Sequence, residues 1–311
     1  MNKRKRIVHI VNQNINILWK AYGIDILAMF IEKRNKKAVQ LCLNAGTDVN
    51  KSTGKIIKLA ICTWPEMIIN LIKAGISINS IDESNKGFNA LHYAVKECNA
   101  KVVRLLFKLG IDVNSKNEMD MTPLHYAVEN SGLGIFKMLL KMGADINVKD
   151  IFRKTLLHFA IMKVRDVKIL AMLLKYGVDV NSKDSHELTP LHYLAMRNYK
   201  PGSDRLLINN GADVNSIDYK RKTPLHYAGS WCDRTNLFEL LLDNGADVNA
   251  IDDEGKTPLH YYIRRFQYRK NFKILKLLID SGADIQIKDK NRDTPLDIAI
   301  KHGIKESLNF W

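Results

Sequence analysis

The chain contains 311 residues, of which 46% are hydrophobic and 26% charged, and it carries a formal net charge of +15. Its longest apolar runs fall far short of the ~20 residues that a membrane-spanning helix needs. Polar residues interrupt the first apolar stretch, which argues against a signal peptide. The four cysteines, Cys42, Cys62, Cys98 and Cys232, form no Cys-x-x-Cys pair, so we expect free thiols in a reducing compartment.

Residues 1–22 form a basic N-terminal tail that precedes any repeated pattern. Residues 3–6 read Lys-Arg-Lys-Arg, which fits a nuclear address as well as an ordinary solvated tail. Apolar residues between positions 15 and 22, among them Trp19 and Tyr22, suit a cap over the exposed end of a stacked structure. We therefore expect a tail and cap here, not a domain.

Two short motifs recur along the rest of the chain. Gly-Ala-Asp-Val-Asn, or a close variant, begins at Gly143, Gly177, Gly211 and Gly245. Thr-Pro-Leu-His begins at Thr122, Thr189, Thr223 and Thr257, with near copies at residues 89, 155 and 294. The leucines of this second motif are spaced by 33, 33, 34, 34, 34 and 37 residues, and they are Leu91, Leu124, Leu157, Leu191, Leu225, Leu259 and Leu296. A period in this range is typical of a stacked repeat array.

The residues of one repeat predict its local structure. Thr223 suits a helix N-cap and Pro224 the first helical position. Leu225 and Ala228 are three residues apart and therefore share one helix face. Gly245 follows a second apolar run and fits the left-handed position after a helix. Each repeat is thus helix, turn, helix and loop, and it buries its apolar face only by stacking on its neighbours.

These motifs resemble those of the ankyrin repeat family, and the resemblance covers roughly residues 23–311. It implies an all-α, curved solenoid of about eight helix-turn-helix units with projecting β-hairpin-like loops, and a protein that works by binding other proteins. The first two repeats lack Thr-Pro-Leu-His and are expected to be the least regular. The predicted repeats are 23–52, 53–81, 82–115, 116–148, 149–182, 183–216, 217–250, 251–286 and 287–311, the last a partial C-terminal cap.

The last two repeats depart from the pattern. In 251–286 the inter-helix segment 264–272 is lengthened and mixes basic residues with Phe266, Tyr268 and Phe272. Such a mixture suits an acidic peptide, a phosphorylated partner or single-stranded nucleic acid. A longer helix pair whose aromatic side chains pack inward is the other interpretation. In 287–311 Asp297 replaces the motif histidine, as expected of a terminal cap.

The recurring histidines are candidates for a metal site, but their spacing argues against one. Metal-binding histidines on a helix stand three or four residues apart, whereas these occur once per repeat. The family resemblance implies that each holds its loop by hydrogen bonds. No Gly-x-Ser-x-Gly, phosphate-binding loop or His-Glu-x-x-His motif occurs either, so we expect no metal, no cofactor and no enzyme activity. The histidines are His92, His125, His158, His192, His226 and His260.

Binding is expected where exposed positions differ between repeats. The hairpin tips vary at residues 117–118, 152–153, 186–187, 219–221, 253–254 and 291–292, and the ends of the first helices vary at 96–97, 129–130, 163–164, 197–198, 230–231 and 264–265. Similar proteins use both sets on a concave face. Because aromatic and arginine side chains dominate binding energy, the predicted partner-binding residues are Phe152, Arg153, Tyr219, Arg221, Trp231, Arg264 and Arg265.

The sequence therefore predicts a monomeric adaptor or scaffold with one or more protein partners. Abundant lysine, asparagine and isoleucine are typical of AT-rich genomes, as in poxviruses, intracellular bacteria and insects, so the targets could be host proteins in a host cytoplasm. The alternative is a nuclear regulator that contacts nucleic acid through the basic N-terminus and the segment 264–272. The basic excess is not concentrated along one track, which disfavours that alternative. Ankyrin repeats can also undergo asparagine hydroxylation, with Asn215 and Asn249 as candidate targets.

Overall fold

The computed structural model describes residues 22–45, 53–130, 132–163, 167–197 and 202–303. Several predicted features lie outside these residues: the basic cluster at 3–6, most of the N-terminal cap, the motif at 46–50 and the final helix at 306–311. The chain divides into two compact units, one ending at Asp145 and one beginning at Ile146. Each unit is a stack of paired helices. None of the described helices is both long and apolar enough to span a bilayer.

The first unit contains four helix pairs. A short two-stranded antiparallel ribbon, β1 (Ile81–Asp82) and β2 (Phe88–Asn89), projects between the second and third pairs, with Ile81 opposite Asn89. The 3-10 turn Pro65–Met67 leads into the fourth helix. The helices are α1 (22–32), α2 (Lys36–Asn44), α3 (Thr53–Thr63), α4 (Ile68–Lys73), α5 (Ala90–Lys96), α6 (Ala100–Lys108), α7 (Pro123–Glu129) and α8 (Leu133–Lys141).

The second unit contains four more pairs and a single last helix. Its members are α9 (Leu156–Lys163), α10 (Val167–Lys175), α11 (Pro190–Ala195), α12 (Ser203–Asn209), α13 (Pro224–Trp231), α14 (Thr235–Asp243), α15 (Pro258–Arg269), α16 (Phe272–Asp280) and α17 (Pro295–Lys301). The first helices of successive pairs pack on one another, from α9 through α17, and the second helices form a separate row from α10 to α16. Two layers of helices therefore enclose the core.

Helix starts and ends follow the motifs. Thr223 is the N-cap of α13 with Pro224 at its first position, and Leu225 and Ala228 are fully buried on its inner face. Gly245 follows α14 with φ of 82°, the left-handed conformation that favours glycine because it has no Cβ. The same sequence pattern gives the same backbone in each repeat, so the helix-turn-helix prediction and the all-α fold class are confirmed.

The segment 264–272 is mostly helical. The helix α15 continues through it to Arg269, and only Lys270 and Asn271 separate α15 from α16. Phe266 is buried and its ring meets Phe272 edge to face, with the centroids 5.0 Å apart, whereas Tyr268 is exposed. Of the two interpretations of this segment, the structure agrees with the longer helix pair whose aromatic side chains pack inward, with Tyr268 as the exception.

The last residue of each Gly-Ala-Asp-Val-Asn motif links its repeat to the next one. The amide of Asn215 donates from Nδ2 to the carbonyl oxygen of Gly245 at 2.8 Å, and its Oδ1 accepts from the backbone N–H of Asp247 at 2.8 Å. Asn181 and Asn249 do the same within the second unit. A side-chain amide offers one donor and one acceptor group, so each asparagine satisfies two backbone groups of the following repeat.

Replacing Asn215 by alanine is expected to destabilise the stack. The substitution removes two hydrogen bonds to the next repeat, each contributing about 1 kcal/mol, so the free energy of unfolding should fall by roughly 2 kcal/mol. Asn244→Ala is the matched control, because the Asn244 amide donates only to Leu240 of its own helix. Urea unfolding followed by circular dichroism measures both variants. Equal losses in the two variants would contradict the linking role of Asn215.

Candidate protein-binding surface

The motif histidines are held inside the stack, away from any exposed surface. In the repeat that begins with Thr189, the backbone N–H of Thr189 donates to Nδ1 of His192 at 3.1 Å. Since Nδ1 accepts, the ring proton lies on Nε2, which donates to the carbonyl oxygen of Lys222 at 3.0 Å. The histidine thus caps its own helix and ties it to the hairpin of the next repeat.

The same double hydrogen bond recurs at other repeats of each unit. His226 binds Thr223 and the carbonyl oxygen of Lys256, and His92 binds Asn89 and that of Met121. Burial is the main cause that lowers the pKa of His92, His158 and His192 to about 4. These imidazoles are therefore neutral in the folded protein at pH 7. The described residues also contain no group of three or more histidine, cysteine, aspartate or glutamate side chains that could hold a metal ion.

A buried aspartate at the start of the hairpin organises its tip in most of the described repeats. Oδ1 of Asp218 accepts the backbone N–H groups of Lys220 and Lys222, both at 2.8 Å. Its Oδ2 accepts the hydroxyl of Tyr227 at 2.6 Å. Sequence reasoning missed this pair, although a spacing of nine residues between the acid and the tyrosine recurs in several repeats. Asn117 occupies the same buried position, so the expectation that it lies at an exposed tip is wrong.

Neighbouring hairpins of the second unit join tip to tip. The backbone N–H of Ser185 donates to the carbonyl oxygen of Phe152 at 2.8 Å. The backbone N–H of Tyr219 donates to the carbonyl oxygen of His186 at 3.3 Å. The rings of His186 and Tyr219 lie 5.7 Å apart. These bonds place Phe152, His186 and Tyr219 in one line, which we call the tip row. The sequence prediction contained Phe152 and Tyr219 but did not select His186.

The aromatic side chains of the tip row stand in solvent. Phe152 is 43% exposed and Tyr219 is 55% exposed. Lys154 Nζ lies 5.3 Å from the Phe152 ring and Lys220 Nζ 5.4 Å from the Tyr219 ring, which are cation–π distances. The row is therefore an aromatic strip edged by positive charge.

Two arginines at the hairpin tips adopt a backbone that L-residues seldom take. Arg153 has φ of 60° and Arg221 has φ of 58°, a left-handed conformation that costs a non-glycine residue about 1 kcal/mol. Gly255 holds the corresponding place in a later hairpin, with φ of 71°. Glycine would relieve this strain at the arginine positions as well. Glu187 and Arg292 take the same conformation in their hairpins, so the strain belongs to the turn, and the turn presents both arginine side chains to solvent.

The three residues predicted at the helix ends differ in their surroundings. Trp231 is the last residue of α13 and is 60% exposed, and Arg264 is exposed on α15. Arg265 instead forms an ion pair of 3.0 Å with Asp233 and is mostly buried. Trp231 and Arg264 are therefore accessible to a partner, whereas the guanidinium of Arg265 fastens α15 to the preceding turn.

Comparison with known proteins places this arrangement in a family. A family model for ankyrin repeats in three copies matches residues 26–117, 65–150, 157–252 and 233–310. The chain belongs to the ankyrin repeat family. Ankyrin repeats generally serve as protein–protein interaction modules, so the predicted class of function is confirmed at that level.

Two similar proteins illustrate the range of the ankyrin repeat family. Over 111 residues the chain is 33% identical to an ankyrin repeat protein of fowlpox virus, strain NVSL, a match that covers 35% of this chain and 26% of that protein. The match thus spans about a quarter of the relative's length. The ankyrin repeat domain of Bcl-3, a member of the IkappaB family, is similar in structure, with a TM-score of 0.61 and 29% identity over 72% of this chain and all of that domain.

The buried histidines predict that this ankyrin repeat protein loses stability in mild acid. Their folded pKa lies below the usual 6.5, so the unfolded chain takes up protons first as the pH falls. The stability they contribute is complete above about pH 6.5 and is lost as the pH drops towards about 4, at roughly 1 kcal/mol per pH unit for each histidine. Chemical unfolding at several pH values measures this slope.

A pair of histidine variants tests the assignment. His192→Gln removes one buried titrating ring and should make the pH dependence shallower in the range from 6.5 to 4. His186→Gln alters an exposed histidine of the hairpin in the same repeat and should leave the slope as in the wild type. An unchanged slope in His192→Gln would show that the acid sensitivity comes from other groups.

Proposed function

We propose that this chain is an adaptor that binds a protein partner along the tip row, with Trp231 and Arg264 extending the contact on the inner helices. The observation that carries the proposal is the exposure of two large aromatic side chains, Phe152 and Tyr219, on hairpins whose other side-chain interactions are buried and recur between repeats. Phe152 and Tyr219 make no contribution to the core, which consists of residues such as Leu225 and Phe238.

The chemistry of the tip row suits a protein surface. Aromatic and arginine side chains are enriched among the residues that carry most of the energy of protein interfaces. The two strained arginines lie on hairpins that also carry the exposed rings, Arg153 beside Phe152 and Arg221 near Tyr219. A partner that presents apolar side chains flanked by carboxylates would complement both features.

The nucleic-acid alternative finds less support in the geometry. It relied on bases stacking on the aromatic side chains of the segment 264–272, but Phe266 is buried and packed against Phe272. Arg265, one of its cations, is neutralised by Asp233. Among the described side chains of that segment, Arg264, Tyr268 and Lys270 are exposed, and one exposed ring is too little for a stacking platform.

We also propose a reducing compartment, such as a host cytoplasm, as the place of action. None of the four cysteines forms a disulfide, and Cys42 and Cys232 are buried. Burial raises the pKa of the Cys232 thiol above its usual value, so this thiol stays protonated and poorly reactive. Alkylation of the native protein followed by mass analysis tests the low reactivity of this thiol. Cys232 should be modified only after the protein is unfolded.

The tip row is tested with the double variant Phe152→Ala/Tyr219→Ala. The full-length chain serves as bait for the cell extract in which the protein acts, and partners are quantified by mass spectrometry. Since each interface hot spot contributes ~2 kcal/mol or more, the double variant should bind its principal partner at least about tenfold more weakly. Affinity measured with the purified partner provides the number.

The matched control is Tyr176→Ala. Tyr176 is 53% exposed, similar to Tyr219, but it follows the outer helix α10. This variant should bind as the wild type does. Retention of the partner by the tip-row variant, or equal losses in both variants, would refute the proposed surface. Binding of DNA or RNA that weakens steeply with salt would instead favour the alternative function.

A further inference from the structure

Three consecutive repeats of the second unit hold a tyrosine ring in the same setting. Each hydroxyl donates to Oδ2 of the hairpin aspartate nine residues earlier in the chain. The three donor–acceptor distances are 2.7, 2.6 and 2.6 Å, and the pairs are Tyr193 with Asp184, Tyr227 with Asp218 and Tyr261 with Asp252. The stack therefore contains a repeated binding site for a phenol ring, which the chain normally fills itself.

The preceding repeat supplies the walls of this site. The ring of Tyr261 meets the edge of His226, with the centroids 5.9 Å apart and the planes at 77°. Lys222 Nζ lies 4.5 Å from the same ring centroid. A phenol is thus recognised by one carboxylate, one histidine and one lysine, of which the last two belong to the neighbouring repeat.

The last repeat keeps the walls and lacks the ring. Asp289, His260 and Lys256 stand at the positions of Asp252, His226 and Lys222, but the residue nine positions after Asp289 is Ile298. An open cavity of about 170 Å³ lies here. A cavity of about 150 Å³ can hold a benzene molecule, so this one has room for a phenol ring.

The cavity also offers an unused hydrogen-bond acceptor. Asp289 is only 5% exposed. Its Oδ1 accepts the backbone N–H groups of Asn291 and Asp293 at 2.8 and 3.0 Å. Its Oδ2 accepts no hydrogen bond from the part of the chain that the structure describes, whereas Oδ2 of Asp252 accepts the tyrosine hydroxyl. The Asp289 side chain lines the cavity, so a ligand hydroxyl can reach this oxygen.

We propose that this cavity, the tyrosine slot, binds the tyrosine side chain of a partner protein, with the phenol hydroxyl donating to Asp289. The inference rests on the proposed protein-binding function and names one side chain that a partner would insert. The slot is lined by Lys256, His260, Tyr261 and Ile298 besides the carboxylate. It would hold the partner's ring as the neighbouring repeat holds Tyr261.

The chemistry of the slot selects tyrosine over related side chains. A phenylalanine would fill the space but leave Oδ2 of Asp289 without a donor, and sites built around such a hydrogen bond discriminate strongly against ligands that lack it. A phosphorylated tyrosine has no phenol proton to donate to Oδ2 of Asp289 and would bring its charge against that carboxylate, although Lys256, Arg264 and Lys301 also line the cavity. A neutral phenol meets both requirements.

The experiment uses small probes and the full-length chain. N-acetyl-tyrosinamide and N-acetyl-phenylalaninamide are titrated at millimolar concentrations and followed by protein NMR. The tyrosine probe should bind saturably, shift the signals of Ile298 and His260, and bind at least about tenfold more tightly than the phenylalanine probe. Absence of saturable binding, or equal affinity for the two probes, would overturn the proposal.

Ile298→Tyr fills the slot from within. The new hydroxyl should bond to Asp289 as Tyr261 does to Asp252, so the variant should lose probe binding and melt at a higher temperature. Phe159→Tyr is the matched control, because Phe159 holds the equivalent position nine residues after Asp150, and it should bind the probe as the wild type does. Unaltered probe binding by Ile298→Tyr would place the probe elsewhere and refute the slot.

A second variant keeps the test decisive if the first fails to fold. Asp289→Ser keeps one turn-forming oxygen, since a serine hydroxyl accepts the same kind of backbone hydrogen bond more weakly than aspartate, and it removes Oδ2. This variant should bind the tyrosine probe about tenfold more weakly than the wild type does, and its affinity for the phenylalanine probe should be unchanged. The Phe152→Ala/Tyr219→Ala variant should bind both probes normally, so failure of the slot and failure of the tip row are distinguishable.

Discussion

The structure depends on hydrogen bonds that leave one repeat and end on the backbone of the next. In the second unit Asn215 satisfies two backbone groups of the following loop, and His192 joins the cap of its own helix to the carbonyl oxygen of Lys222. A repeat this small cannot enclose a core alone. Apolar contact between helices supplies most of the driving force, but these bonds fix the register in which one repeat lies on the next.

The same constraint divides the chain into repeated and variable positions. Residues that bond across a repeat boundary recur, because the backbone they satisfy recurs. At the hairpin tips only the backbone bonds to the next repeat, so the side chains of Phe152, His186 and Tyr219 differ from repeat to repeat and stand in solvent. In the last repeat one of the recurring residues is replaced. Ile298 stands where the three preceding repeats have a tyrosine paired with aspartate, and a cavity lies beside Asp289. Both proposed binding features thus lie at positions whose residues differ from the equivalent residues of other repeats.

Much of the fold was predictable because short motifs carry local physics. Threonine and proline begin helices such as α13, and glycine at position 245 ends its repeat in the left-handed conformation. The segment 264–272 allowed two interpretations, because its mixture of charged and aromatic residues fits a binding segment as well as a longer helix pair, and the structure shows the helix with Phe266 buried. Asn117 was misplaced. A polar residue is usually exposed in a loop, but here its amide is buried and organises the hairpin.

The sequence by itself determined the repeat and the helix pairs, since both follow from periodicity and capping chemistry within about 34 residues, and the resemblance of its motifs indicated the family and the general class of function. Only the tertiary structure decided which variable residues are accessible. It separated exposed Trp231 from Arg265, which an ion pair with Asp233 holds in place, and it revealed the empty ring site beside Asp289. The reason is that exposure, ion pairing and cavities depend on the neighbouring repeat, which the local pattern of one repeat does not contain.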